Sequence, residues 1–150
     1  MIRWLLYIII VVGIFLVPTE GTDVGKLQPV QTVAVYQVDD HYVIETDTRD
    51  VGQGTSLQKA IENLKETTPA VVYLDTADFL LVDGVVEHQL DELKGVLKGS
   101  VSVYRLSGTQ DLKETSKFLS TKQKGPSLKS WKNGVILPVL TCKNGRMILA

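Results

Sequence analysis

The N-terminal run constrains this chain more than any other stretch. After Arg3 the sequence reads Trp4-Leu5-Leu6-Tyr7-Ile8-Ile9-Ile10-Val11-Val12-Gly13-Ile14-Phe15-Leu16-Val17 without a charge, and Pro18 and Glu20 close it. A run that is apolar all round, at the extreme N-terminus and behind a basic residue, marks membrane insertion rather than a core helix. Its length falls between a signal-peptide core and the roughly twenty residues of a full span. Cleavage is therefore open. Thr19-Glu20-Gly21 offers small residues around a cut, but Pro18 and the lack of alanine fit it badly, which favours an uncleaved anchor. Arg3 precedes the run and Glu20 and Asp23 follow it, so the basic end stays cytoplasmic and the remainder crosses. The expectation is a membrane-anchored chain whose folded part lies on the extracytoplasmic side.

What remains is long enough to bury one core and too short for two ordinary domains. The sequence divides into residues 1–21 as signal peptide or anchor, 22–120 as an exported α/β domain, 121–134 as a basic loop or linker, and 135–150 as a terminal hairpin that could open a further domain. Sixteen basic residues stand against 17 acidic ones, a formal charge of -1, so no net field draws nucleic acid. A single cysteine, Cys142, allows no internal disulfide and, with only His41 and His88 beside it, no Cys/His zinc cage.

Within the exported part, Val30–Val38 and His41–Thr46 are β-rich and flank Asp39-Asp40, which predicts a hairpin. Asp47–Gly54 is polar and glycine-punctuated and reads as a loop, with Gly52 and Gly54 as turn glycines. Thr55-Ser56-Leu57-Gln58 has the spacing of a capping box. Leu57, Ala60, Ile61 and Leu64 then form one helical stripe that Pro69 ends. Ala70–Leu74 is apolar throughout and predicts a central strand buried on both faces. Phe79–Val82 is a short apolar patch, and Val86, Leu90, Leu93 and Leu97 predict a second amphipathic helix ending at Gly99. Ser100–Leu106 alternates as a half-buried strand does, and Asp111–Ser120 predicts a third helix. Thr121–Asn133 is lysine-rich and offers only Leu128 and Trp131 to a core, so it reads as a mobile linker. Val135–Thr141 and Arg146–Leu149 meet through Asn144-Gly145, a hairpin in which Pro138 restricts its strand to an edge or bulge. The fold class is α/β (α+β), a mixed sheet with two or three packing helices. The stop at Ala150, inside an apolar strand, suggests a chain cut short.

Chemistry has few candidates. Asp75, Asp78 and Asp83 flank the Phe79 patch, and Glu45, Asp47 and Asp50 follow the first hairpin. Clustered carboxylates can hold a hard cation or act as acid and base, so Asp75, Asp78 and Asp50 are the candidate metal or hydrolytic set. The spacing lacks the ligand run and closing glutamate of a calcium loop, and capping by Asp75 or Thr76, with the other acids solvated in loops, explains them better. Gly52-Gln53-Gly54 lacks the full phosphate-loop spacing, and no serine or cysteine sits in a nucleophile frame. No catalytic residue, cofactor or metal ligand is therefore assigned. The lysine-rich segment with Trp131 could touch anionic lipid or another polyanion.

The order hairpin, capped helix, strand, helix, strand, helix, linker and late hairpin resembles the N-terminal domain of the Ger(x)C family, the C subunits of spore germinant receptors. The resemblance rests on Val33-Ala34-Val35 with Asp39-Asp40 and Tyr42-Val43-Ile44, on Gly54-Thr55-Ser56-Leu57-Gln58-Lys59-Ala60, on Pro69 to Leu74, and on Ile136-Leu137-Pro138-Val139-Leu140 with Asn144-Gly145 and Met147-Ile148-Leu149-Ala150. Members carry a lipid-bearing cysteine directly after the apolar run, and Leu16-Val17-Pro18-Thr19 supplies none, so the run itself must anchor this chain. The family also continues beyond this length. The resemblance implies a non-catalytic, membrane-tethered interaction or scaffold subunit of a cell-envelope complex, working in spore germination through contact with integral-membrane partners. Two rival expectations are a small exported metal-dependent or acid/base hydrolase using the Asp cluster, and an envelope module that binds a small molecule in an apolar pocket.

Overall fold

A computed structural model describes residues 27–132 and 134–150. The apolar N-terminal run and its anchoring role lie outside the described residues, and no described helix is long and apolar enough to cross a membrane. In order, the elements are β1 (Leu27–Pro29), β2 (Thr32–Val38), β3 (His41–Thr46), β4 (Val51–Gly54), α1 (Leu57–Thr67), β5 (Val71–Tyr73), β6 (Phe79–Val82), α2 (Leu90–Leu93), β7 (Ser102–Ser107), α3 (Leu112–Ser120), β8 (Val139–Lys143) and β9 (Arg146–Leu149). Seven strands form one mixed sheet in the order β4-β3-β2-β6-β7-β8-β9, and β1 and β5 pair in a separate two-stranded sheet. The α/β class with a mixed sheet and three helices is the architecture expected.

The sheet has a core on each face. Val33, Val35, Ile44, Leu80, Val82 and Val103 meet α1, α2 and the chain around Leu128 to Leu137 on one side. Ala34, Phe79, Leu81, Tyr104 and Leu140 meet Leu112 and Leu119 of α3 on the other. Because β2 and β6 are covered on both faces, their burial is continuous over Thr32–Val35 and Phe79–Val82 rather than alternating. Phe79–Val82 is thus the central strand, parallel to β2 and to β7. Ala70–Leu74 is not. Its middle forms β5, paired with β1, with Val71 and Tyr73 exposed and only Val72 and Leu74 turned into the core. An uncharged run cannot reveal which of its apolar residues meet water.

Both hairpins form as expected. Asp39 and Asp40 take φ of 45° and 62°, and Asn144 and Gly145 take 52° and 71°, the left-handed pairs that a twisted two-residue turn needs. The segment read as a loop contains β4, an edge strand antiparallel to β3. Gly52 and Gly54 are not turn residues but the floor on which α1 lies. A Cβ on Gly52 would fall 2.3 Å from the Ala60 carbonyl oxygen, and one on Gly54 2.5 Å from the Ala60 nitrogen. The cap of α1 is Ser56 rather than Thr55, its side chain accepting from the Lys59 N–H at 3.3 Å. Leu57, Ala60, Ile61 and Leu64 are all buried, as the stripe required.

The second helix is shorter than its stripe. Val86–Gln89 is a 3₁₀ turn and α2 a single turn, yet Val86, Leu90, Leu93 and Leu97 all enter the core. Asp111 caps α3 through the N–H groups of Lys113 and Glu114. Most different is the segment read as a mobile linker. Leu128 and Trp131 are buried in the core, and Leu128 N donates to Val101 O while Val103 N donates to Pro126 O. The chain there stands beside the first half of β7, where β8, paired only with Arg105–Ser107, does not reach. The terminal hairpin extends the same sheet. Pro138 precedes β8, which is paired on both sides, so the proline marks the strand's start rather than an edge or bulge.

Candidate functional site

The six acids singled out from the sequence are taken up in separate local contacts, with Asp47 and Asp50 sharing one turn. Asp50 accepts from Thr48 Oγ1 at 2.6 Å and Gln28 Nε2 at 3.1 Å in the β3–β4 loop. Asp75 is exposed after β5, and Asp78 pairs with Lys98 at 2.7 Å. No group of three or more His, Cys, Asp or Glu able to hold a metal gathers among the described residues. Asp83 spends one oxygen on the N–H of Gln37, and the other on those of Val85 and Val86. Asp47 takes the Gln31 N–H, and Glu45 the Tyr36 hydroxyl. Neither Asp75 nor Thr76 caps the 3₁₀ turn that follows β5; the Thr76 hydroxyl instead accepts the Val30 N–H at 2.9 Å and ties that turn to the link between β1 and β2. His41 and His88 are exposed at a turn and on a helical surface.

Asp78→Ala should therefore cost little. The Asp78–Lys98 side chains are 54% and 34% exposed, and such a pair is worth under about 1 kcal/mol. A thermal melt shifted by no more than a few degrees checks this.

The site that sequence reasoning missed is a groove of about 600 Å³ beside β5. Lys65 and Thr68 from the end of α1, Gly95 and Val96 after α2, and the strand itself line it. β5 is hydrogen-bonded to β1 on one side only among the described residues, so its other edge offers backbone donors and acceptors. Val71 and Tyr73 stand 43% and 41% exposed next to that edge. An open strand edge with apolar side chains at alternate positions is the surface that an added strand recognises: main-chain bonds give affinity and side-chain pockets give selectivity. No local sequence signal marks this groove, because residues from α1, β5 and the chain after α2 come together to make it.

A smaller cavity of about 300 Å³ lies at the carboxyl ends of β2, β6 and β7, lined by Tyr36, Glu45, Asp83, Leu106 and Gln110. Burial and then the nearby Glu45 carboxylate push the Tyr36 hydroxyl above its ordinary range. Asp83 is saturated by backbone N–H groups, and Gln110 is held between Leu140 O and Thr115 Oγ1. Tyr36, Glu45 and Thr109 are the remaining polar side chains of the lining, and the Tyr36 hydroxyl donates to the Glu45 carboxylate at 3.2 Å. On the opposite face, the buried Glu87 carboxylate is held by the Arg105 guanidinium, Nε lying 2.8 Å from Oε2. That is a stabilised ion pair rather than a reactive group.

Comparison with protein-family models, with curated proteins and with solved structures finds no match.

Proposed function

We propose that the chain is a non-catalytic, membrane-tethered interaction subunit of a cell-envelope complex of the spore germinant-receptor type, with its folded domain on the extracytoplasmic side. The observation that carries this reading is the β5 groove, where a strand edge unpaired among the described residues and exposed Val71 and Tyr73 offer a partner both main-chain and apolar contacts. The apolar run from Trp4 to Val17 supports the tether. Dispersal of the acids among caps and surface pairs speaks against the hydrolase, since cooperation between polar groups needs convergence. The partner that suits a tethered subunit is an integral-membrane protein presenting an extended segment to β5.

A photo-crosslinking residue placed at Tyr73 in the native membrane should yield an adduct with an integral-membrane protein. The same probe at Gln58, on the exposed face of α1, should not. Equal yields at the two positions would remove β5 as the contact.

The small-molecule module is a second reading that draws on the cavity at the carboxyl ends of β2, β6 and β7. That is the usual binding end of parallel strands.

A further inference from the structure

We propose that the groove between the β3–β4 loop and the first half of α3 seats the phosphate headgroups of anionic lipid, so that the domain lies against the bilayer that holds it. The inference rests on the membrane-tether reading. Its residues are Arg49, Lys113 and Lys117, with Gln31, Ser116 and Asp47 between them, around about 420 Å³. No salt bridge engages the three cations among the described residues.

The local choices that bring this charge together run against stability. Lys113 and Lys117 stand one turn apart on α3, a like-charge spacing that weakens a helix. Arg49 has φ of 71°. Its N–H donates to Thr46 O at 2.9 Å and Thr46 N–H donates to Asp50 O at 3.0 Å, a tight turn whose left-handed last residue is ordinarily glycine or asparagine. The loop is pinned nonetheless, by Thr48 Oγ1 to Asp50 at 2.6 Å and by Gln28 Nε2 to the same carboxylate at 3.1 Å. Strain kept in an over-determined loop points to a use for the residue that bears it.

Three acids stand near, and one of them, Asp50, has its carboxylate taken up by Thr48 and Gln28, which both line the groove. Asp47 in the groove gives both oxygens to the Gln31 N–H, at 3.1 and 3.3 Å. Asp111 at the head of α3 is held below the ordinary carboxylate range, first by the Glu114 N–H, then by the Lys113 N–H and the charges of Arg49 and Lys113. A guanidinium fork and two ammonium groups suit phosphate oxygens, while the Ser116 hydroxyl between them donates to Gln31 Oε1 at 3.0 Å.

Position selects lipid over a soluble phosphate. Gln28, which also lines the groove, follows the apolar run so closely that residues 18–27, even fully extended, separate the two by at most about 40 Å. Anionic surfaces attract each nearby basic side chain about fivefold.

The full chain would be reconstituted in phosphatidylcholine vesicles and in vesicles that also contain phosphatidylglycerol, and the acylation rates of its lysines followed by mass spectrometry. Lys113 and Lys117 should slow several-fold in the anionic vesicles relative to Lys59, and recover in about 0.5 M salt, which shortens the screening length to a few ångströms. Arg49→Gln should weaken the protection by about fivefold. Equal rates in the two lipids, or full protection in Arg49→Gln, would overturn the proposal. So would protection by glycerol 1-phosphate in phosphatidylcholine vesicles equal to that of the anionic lipid, which would make the groove a site for soluble phosphates. Carbonate extraction tests the tether separately. A chain that washes out sinks the tether, and the groove is then read by whether the chain floats with anionic vesicles alone in low salt. A chain that stays, with lysines indifferent to lipid, sinks the groove and leaves the tether.

Discussion

Gly52→Ala is expected to destabilise the domain by about 3 kcal/mol or more, a large part of the total of about 5–15 that a small domain possesses. The added Cβ would lie 2.3 Å from the Ala60 oxygen and 2.6 Å from both the nitrogen and the Cβ of Leu64. These are atoms of the helix itself, not the far ends of flexible side chains, so relief requires α1 to lift off β4. Lifting it loosens Leu57, Ala60, Ile61 and Leu64 together. Gly84→Ala is the matched control, since nothing lies within 4 Å of a Cβ there. Urea unfolding should show a much lower midpoint for the first variant and a change within about 0.5 kcal/mol for the second. Equal midpoints would mean that α1 does not rest on the strand.

Leu64→Asp attacks the same contact by charge instead of volume and should have the larger effect. Leu64 is fully buried in the core beneath α1. The substitution removes its apolar contacts, worth about 2–5 kcal/mol in a large-to-small change, and leaves a carboxylate without a partner at a further cost of several kcal/mol. Those losses match the whole stability of the domain. No cooperative thermal transition should remain for Leu64→Asp, whereas Leu64→Met, which conserves volume, should keep one at slightly lower temperature. A cooperative melt in the aspartate variant would place α1 away from the core.

These two positions show where sequence reasoning succeeded and where it stopped. Leu64 was legible because a helical stripe is a local pattern, and Asp39-Asp40 and Asn144-Gly145 were legible because turn chemistry is local too. Gly52 was read as a turn glycine because its reason for being glycine is a helix lying across it, a contact that adjacent residues do not encode. The central strand was assigned to Ala70–Leu74 instead of Phe79–Val82 for a related reason. Both runs are apolar and short, and only pairing with β2 and β7 distinguishes the buried one. Leu128 and Trp131 seemed too few to anchor a basic segment, yet two large side chains and a few backbone bonds to β7 suffice. At the candidate site the acids could be named but not their dispersal. The β5 groove depends on a strand edge, and the basic groove joins Gln31, Arg49 and Lys113, all distant in sequence.

The place of β6 in the sheet also governs how the domain must form. β2 pairs locally with β3, and β3 with β4, so that meander and α1 can assemble from neighbouring residues. The other side of β2 waits for β6, with the whole of β3, β4, α1 and β5 intervening. Closing that loop costs chain entropy before the contacts on β6 reward it, which makes the insertion of β6 the natural rate-limiting event. Until then the half-sheet presents Val33, Ala34 and Val35 along an unsatisfied edge, the stretch through which nascent chains of this protein would associate if folding were delayed.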